Sequence, residues 1–134
     1  MARILLVVIS MSCAGCAGNS TQPSHTPLGQ PFELRSGTSA MLDEALTVTF
    51  ERVSSDSRCP MDTQCNWAGD GVVSVSISQG MNGSARRELH TDASGSEASF
   101  LTYSIKLLGL SPYPRRDLQI RPEDYVATIS VAPR

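Results

Sequence analysis

Hydrophobic and polar residues alternate one by one along most of the chain after residue 31. The alternation is clearest in four segments, which carry an apolar side chain at every second position: residues 46–50, 73–78, 103–107 and 125–131. A period of two places one face of an extended strand on a core and the other face toward solvent. The pattern therefore predicts an all-β domain, and we expect a small antiparallel β-sandwich, immunoglobulin-like or related, with about seven strands.

Two further segments fit this sheet. Phe32-Glu33-Leu34 forms a short first strand, and Gly80-Met81-Asn82-Gly83 contains an Asn-Gly pair that is typical of a hairpin turn. Residues 85–91 would then return beside the strand that precedes the turn. Residues 40–45 have helical propensity, but the segment is too short to form a stable helix alone. We expect no helix longer than about two turns in the domain.

The N-terminal segment has a different pattern. Arg3 precedes the apolar run of residues 4–9, and small residues then lead to Cys16. This arrangement is typical of a secretory signal peptide. The apolar run is shorter than the roughly 20 residues that a membrane-spanning helix needs. We therefore predict that residues 1–15 are a signal peptide.

Ala14-Gly15-Cys16 resembles the lipobox of bacterial lipoproteins. The resemblance implies cleavage before Cys16, lipidation of its thiol and acylation with a chain such as palmitate. It also implies attachment to the cell envelope on the periplasmic side, and Ala17 in place of Asp favours the outer membrane. The alternative is an ordinary secretory signal without lipid. Residues 16–31 are poor in apolar side chains, which predicts a flexible tether, and residues 32–134 form the single domain.

Composition narrows the function further. The chain has 134 residues, of which 11 are Lys or Arg and 13 are Asp or Glu. This near balance lacks the basic excess of proteins that bind nucleic acid. His25 and His90 are the two histidines, and the sequence contains no nucleophile elbow, phosphate loop or zinc-protease motif. We therefore expect a protein that is not an enzyme and that has no cofactor or metal.

The densest cluster of informative residues is the segment 56–71. It contains the single Trp67 and the two cysteines of the domain, Cys59 and Cys65. In an exported protein, two cysteines this close predict a disulfide. Closing so short a loop would contribute about 2 kcal/mol to stability.

The same segment resembles a known group of sequences. Asp-Ser-Arg-Cys-Pro at residues 56–60 and Cys-Asn-Trp-Ala-Gly at residues 65–69 are similar to a motif of uncharacterised bacterial secreted proteins and lipoproteins. Those proteins also have a strand like residues 103–107, a Pro-Tyr-Pro turn as at residues 112–114, and a closing Asp-Tyr strand. The resemblance implies an exported β-domain and brings no established activity with it.

Three interpretations of this segment are open. In a structural role, the disulfide fixes the loop, Trp67 closes one end of the sandwich, and Arg58 pairs with Asp56 or Asp70. In a binding role, Asp56, Arg58, Asp62, Trp67 and Asp70 form a candidate binding loop, since recognition residues often lie on loops of a rigid scaffold. In a metal site, the acidic residues would be ligands, but their spacing matches no EF-hand loop.

These observations favour a lipid-anchored β-domain of the cell envelope that acts as a non-catalytic binding or accessory module. Its expected partners are the membrane, through the lipid, and either an envelope protein or a small ligand. The alternative is a released, secreted ligand-binding protein or enzyme inhibitor.

Overall fold

A computed structural model describes residues 25–42 and 45–134. The predicted signal peptide, Cys16 and most of the predicted tether lie outside the described residues. The described chain forms two antiparallel four-stranded sheets, which confirms the predicted β-sandwich. The eight strands are β1 (Phe32–Arg35), β2 (Thr38–Met41), β3 (Leu46–Asp56), β4 (Gly71–Gln79), β5 (Ser84–His90), β6 (Glu97–Phe100), β7 (Tyr103–Ser111) and β8 (Val126–Pro133).

Each sheet contains strands that follow one another along the chain. One sheet has the order β2-β3-β4-β5, and the other has the order β1-β8-β7-β6. A 3-10 turn at Gly80–Asn82 links β4 to β5, and the positive φ of 121° at Gly83 favours glycine there. The hairpin predicted from the Asn-Gly pair is thus confirmed.

The sequence prediction differs from the structure in two short strands. β2 and β6 were not predicted, so the described residues form eight strands instead of about seven. β2 includes part of the segment with helical propensity, and it is extended because it pairs with β3 from Thr38↔Phe50 to Met41↔Thr47. Tertiary pairing thus outweighs local preference. Within the described residues, the helical elements are 3-10 turns of three residues each, Gly80–Asn82 and Pro122–Asp124.

The core lies between the two sheets and follows the predicted alternation. In β4, for example, Val73, Val75 and Ile77 are fully buried, whereas Ser76 is partly exposed. The larger buried aliphatic and aromatic side chains come from both sheets: Leu34, Leu42, Leu46, Val48, Phe50, Leu89, Phe100, Tyr103, Ile105, Leu107, Leu110, Tyr125, Ile129 and Val131. No helix in the part of the chain that the structure describes is long and apolar enough to cross a membrane.

The strands define two ends of the sandwich. At the disulfide-loop end, β3 ends at Asp56 and β4 begins after residues 57–70, which we call the disulfide loop. At the hairpin end, β4 ends at Gln79 and turns into β5. Side chains join the two sheets at both ends: the Tyr125 hydroxyl donates to Asp56 at the first, and Gln79 Nε2 donates to the Tyr103 hydroxyl at the second.

The chain joins the sandwich at the hairpin end. The Thr26 backbone N–H donates to the Met41 carbonyl at 3.2 Å, and the Gly29 N–H donates to the Val131 carbonyl at 2.7 Å. Leu28 packs against the core between them. The last residues of the segment predicted as a tether are therefore bound to the domain, because their backbone groups find partners there.

Candidate functional site

The disulfide loop is closed at its base by covalent and backbone bonds. Cys59 and Cys65 form a disulfide with 5.9 Å between their Cα atoms, which confirms the prediction. The Ser57 N–H donates to the Asp70 carbonyl at 2.8 Å. Gly69 has φ of +68°, and a Cβ there would lie 1.9 Å from the Ser57 carbonyl oxygen. Only glycine fits at this position, so the two arms of the loop approach closely.

Arg58 is the second residue of the disulfide loop, and it is only 5% exposed. Its Nε donates to Asp56 Oδ1 at 2.8 Å and its Nη2 to Oδ2 at 2.7 Å, a bidentate ion pair. The remaining contacts reach distant parts of the chain: Nη1 donates to the Leu110 carbonyl at 2.6 Å and Nη2 to the Pro112 carbonyl at 3.0 Å. The guanidinium also lies 4.8 Å from the centre of the Tyr113 ring. Of the two predicted partners of Arg58, the structure selects Asp56.

The contacts among Arg58, Asp56 and Tyr125 shift the pKa values of Asp56 and Tyr125. Burial by itself would raise the pKa of Asp56, but hydrogen bonds from Arg58 and Tyr125 outweigh it and hold that pKa below its ordinary value. Burial, together with the Asp56 carboxylate that its hydroxyl contacts, raises the pKa of Tyr125 to about 12. Asp56 is therefore ionised at neutral pH and serves as the acceptor that both other side chains need.

A second loop, residues 112–118, which we call the proline loop, lies along the disulfide loop. Its Ser111–Pro112 peptide bond is cis. The Met61 N–H donates to the Pro114 carbonyl at 3.0 Å, and the Arg116 N–H donates to Asp62 Oδ1 at 2.9 Å. The backbone hydrogen bond from Arg116 lowers the pKa of Asp62. Asp62 thus joins the two loops.

Asp70 accepts hydrogen bonds from the start of the β5–β6 connection. Its Oδ2 lies 2.5 Å from His90 Nδ1, and its Oδ1 accepts from the Thr91 hydroxyl at 3.0 Å and the Asp92 N–H at 3.1 Å. Burial opposes ionisation of Asp70, but these hydrogen bonds, that of His90 first, lower its pKa. This carboxylate therefore holds the His90 ring. The Thr91 hydroxyl donates to the carboxylate and not to the imidazole, so the group lacks the order of a catalytic triad.

Trp67 is 67% exposed, so the interpretation in which it closes one end of the sandwich is wrong. Arg58, Asp56 and Tyr125 already close that end, and the tip of the disulfide loop extends beyond them. Other exposed apolar side chains lie on the same two loops, namely Met61, Tyr113 and Leu118. We call these three residues and Trp67 the apolar surface.

The five predicted site residues therefore separate into two kinds. Asp56, Arg58, Asp62 and Asp70 are all engaged in hydrogen bonds that fix the loops, whereas Trp67 is an apolar side chain that is mostly exposed. The sequence analysis did not include the proline loop in the site, although the Pro-Tyr-Pro turn marked its position. In residues 25–42 and 45–134, no group of three or more His, Cys, Asp or Glu side chains is arranged to hold a metal ion.

A cleft of about 470 Å³ lies next to the disulfide loop. Its floor is β7, and the residues that line it are Arg58, Ala68, Gly69, Thr91, Asp92, Ala93, Leu107, Leu108, Gly109, Leu110 and Tyr113. Its size is within the range of ligand pockets, about 300–1,000 Å³. This cleft could not be predicted from the sequence, because the residues that line it beside β7 come from four separate segments.

Comparison of the chain with protein-family models, with curated proteins and with solved structures gave no match. The proposals below accordingly depend on the sequence and on the geometry of the disulfide-loop end.

Proposed function

We propose that the protein is a lipid-anchored, non-catalytic binding module of the bacterial cell envelope, and that it binds a partner protein through the apolar surface. The observation that carries this proposal is the exposure of Trp67 on a loop that is otherwise fixed. Trp and Tyr are the side chains that most often dominate the binding energy of protein interfaces. The four exposed apolar side chains lie on two loops that backbone hydrogen bonds hold together, and an exposed apolar patch favours an interaction site.

The rigidity of the loops supports binding. The disulfide, the Arg58 hydrogen bonds and the Asp62 contact to the proline loop hold the two loops before any partner arrives. A preformed surface loses less conformational entropy when it binds, so more of the contact energy appears as affinity.

The charged groups at this end support a function without catalysis. Arg58 and Asp56 neutralise each other, and the oxygens of Asp62 and Asp70 accept hydrogen bonds from neighbouring segments. Groups that are engaged in this way stabilise the loops and are poorly placed to exchange protons with a substrate.

The position of the tether supports a partner other than the anchoring bilayer. Residues 17–25, nine in all, would separate a lipidated Cys16 from the hairpin end. Nine residues span at most about 30 Å. β4 also has nine residues and runs from one end of the sandwich to the other, about 30 Å. Only a fully stretched tether would allow the apolar surface to reach the membrane that holds the anchor.

The anchor is tested by the intact mass of full-length protein extracted from its host with detergent. We expect a chain that begins at Cys16 and carries a diacylglycerol and an acyl group. Cys16→Ser is the matched control and should lack both. A soluble form that begins after Cys16 and has no lipid would refute the anchor and favour the released, secreted binding protein.

The binding surface is tested by photo-cross-linking in the host. A photoreactive amino acid replaces Trp67 in one variant and Met81 in the other, since Met81 is fully exposed at the opposite end. We expect a defined protein adduct from position 67 and none from position 81. Equal adducts at the two positions, or none at position 67, would contradict the proposed surface.

A further inference from the structure

β6 covers only part of its neighbour in the sheet. It pairs with Tyr103–Lys106 of β7, and β7 continues to Ser111. One more backbone bond follows, from the Leu107 N–H to the Ser96 carbonyl at 2.8 Å. Beyond it, residues 108–111 have no strand beside them on that edge in the described part of the chain. Sandwich proteins usually cover or blunt such an edge, because open backbone groups pair readily with another chain.

The cleft lies along this open edge. Its floor is residues 107–110 of β7, and residues 91–93 and 68–69 form the walls. Arg58 closes the end of the cleft at Leu110, where its Nη1 donates a hydrogen bond to the Leu110 carbonyl. The arginine side chain thus makes a hydrogen bond that a longer β6 would otherwise make. The open edge is thereby limited to the stretch between Ser96 and Arg58.

Backbone groups of β7 point into this cleft. The Leu107 N–H and the Leu110 carbonyl bond to Ser96 and Arg58, which lie on the cleft side of the strand. In an antiparallel strand the N–H and C=O of one residue point to the same side. The cleft therefore offers the edge of a strand, with the half-exposed side chain of Leu108 beside it. The chemical complement of a strand edge is a second extended backbone.

The charged side chains that line the cleft favour an occupant that carries a basic group. Two charged side chains line the cleft, and one of them, Arg58, is neutralised by Asp56. The other, Asp92, accepts hydrogen bonds from Ser94 and forms no ion pair within residues 25–42 and 45–134. The lining thus retains one negative charge at neutral pH, because the Ser94 hydrogen bonds lower the pKa of Asp92. A basic group on the occupant would complement it.

We propose that the cleft binds a short extended segment of the partner protein, which pairs with the open edge of β7 and carries a basic residue beside an apolar one. This inference rests on the proposed function, since it names the part of the partner that binds. Residues 107–110 span about 10 Å, and a β-bulge lies between Leu107 and Gly109, so the Leu107 carbonyl and the Leu110 N–H are the groups left to pair with the segment. Thr26 and Gly29 attach the chain at the hairpin end, opposite the cleft, which favours a segment of another polypeptide.

The proposal is tested with defined peptides and full-length protein in detergent. The probe is a fluorescein-labelled pentapeptide, Lys-Leu-Thr-Leu-Lys with blocked ends, and its matched control has the same side chains with the three central backbone nitrogens methylated. Only the first can donate backbone hydrogen bonds from its three central residues. We expect it to bind at least tenfold more tightly in fluorescence polarisation. Equal binding would overturn strand pairing in favour of a side-chain pocket, and no binding of either peptide would overturn the site.

Substitutions inside and outside the cleft test whether the peptide binds there. Ala93→Trp fills the cleft from an exposed position in its wall and should weaken peptide binding at least tenfold. Met81→Trp at the hairpin end is the matched control and should leave binding unchanged. Asp92→Asn should weaken binding a few-fold, and only at low salt, if the lysines meet that carboxylate. Equal loss in the Met81 variant would contradict the assignment of the peptide to this cleft.

Substitution of Trp67 distinguishes this inference from the proposed function, because Trp67 belongs to the apolar surface and does not line the cleft. Trp67→Ala should keep peptide affinity within twofold. Peptide that fails to bind, while position 67 still cross-links to a partner, would overturn the inference alone. Peptide that binds, while position 67 yields no partner, would overturn the proposed apolar surface and leave the cleft as a peptide site.

Discussion

The two ends of the sandwich are stabilised in different ways. At the hairpin end, β4 and β5 are joined by a turn of four residues, closed by one backbone bond from the Gln79 N–H to the Gly83 carbonyl at 3.1 Å. Met81 at its tip is fully exposed. At the disulfide-loop end, the loop that joins β3 to β4 depends on a disulfide and on a buried arginine that pairs with Asp56 and also donates to two carbonyls more than 50 residues away.

This difference shows where a single substitution has consequences. A change at Met81 alters a turn whose conformation is determined locally. A change at Arg58 removes contacts to the end of β3, the end of β7 and the proline loop together. We therefore expect the two ends to respond very differently to substitution, and the following predictions test that contrast.

The largest effect is expected from Arg58→Met. The substitution leaves the Asp56 carboxylate buried without its partner and removes the donor from the Leu110 carbonyl. Breaking a buried pair on one side costs about 3–5 kcal/mol. Urea unfolding of the full-length protein measures the loss. Arg86→Met is the matched control, because Arg86 pairs with Glu51 on the surface and is two-thirds exposed. A loss no larger than that of the control would contradict the role given to Arg58.

The double substitution Cys59→Ser with Cys65→Ser should lower stability by about 2 kcal/mol, and by less than 4. The cross-link restricts the unfolded chain, and the core residues of both sheets remain to fold the domain without it. The midpoint of urea unfolding measures the change, with Met81→Ser as a control at the other end. Thiol labelling of the unfolded, unreduced protein should find neither cysteine of the loop free. Unchanged stability would mean that the hydrogen bonds of Arg58, Asp62 and the loop backbone fix the loop without the disulfide.

Acid should lower the free energy of unfolding by protonating Asp56 at the disulfide-loop end. The pKa of Asp56 is lower in the folded chain than its ordinary value of 3.8, so its ion pair contributes fully above that value. The contribution is lost as pH falls through the lower, folded pKa, and stability should decline below about pH 4. Urea unfolding across pH 2–6 measures this, with Asp56→Asn as the comparison. A decline of equal size in Asp56→Asn would assign the acid sensitivity to other carboxylates.

The smallest effect is expected from Trp67→Ala. Because the indole is mostly exposed, its removal should change stability by less than about 0.5 kcal/mol. A tryptophan that closed the core would cost about 3–5 kcal/mol. Thermal unfolding followed by circular dichroism distinguishes these values. A large loss would restore the structural role that the sequence analysis considered for Trp67.

The sequence predicted the features that depend on neighbouring residues. The alternation of residues 73–78 places Val73, Val75 and Ile77 in the core, and the Asn-Gly pair forms the hairpin turn. The proximity of the two cysteines predicted their disulfide. Each of these patterns lies within a few residues of sequence, where period and spacing restrict the geometry.

The features that the sequence analysis missed depend on distant residues. Arg58 meets Leu110 and Pro112 across 52 and 54 residues, and no local pattern identifies such partners. The sequence left open whether Trp67 closes one end of the sandwich or extends from a binding loop, because no local pattern determines its burial. Its exposure follows from the Arg58 contacts, which close the end of the sandwich beneath it. The cleft beside β7 likewise depends on the length of β6, a strand too short to recognise from its sequence.

The attachment of the chain at the hairpin end limits the distance from the membrane at which the apolar surface can meet a partner. If Cys16 is lipidated, as we propose, the tether contributes at most about 30 Å and the long axis of the sandwich about 30 Å more. Trp67 can then sample a layer about 60 Å deep and nothing beyond it. Within that layer, anchoring raises the effective concentration of the domain, so a partner of modest affinity would be bound. Shortening the tether would exclude the most distant partners without altering any contact in the domain.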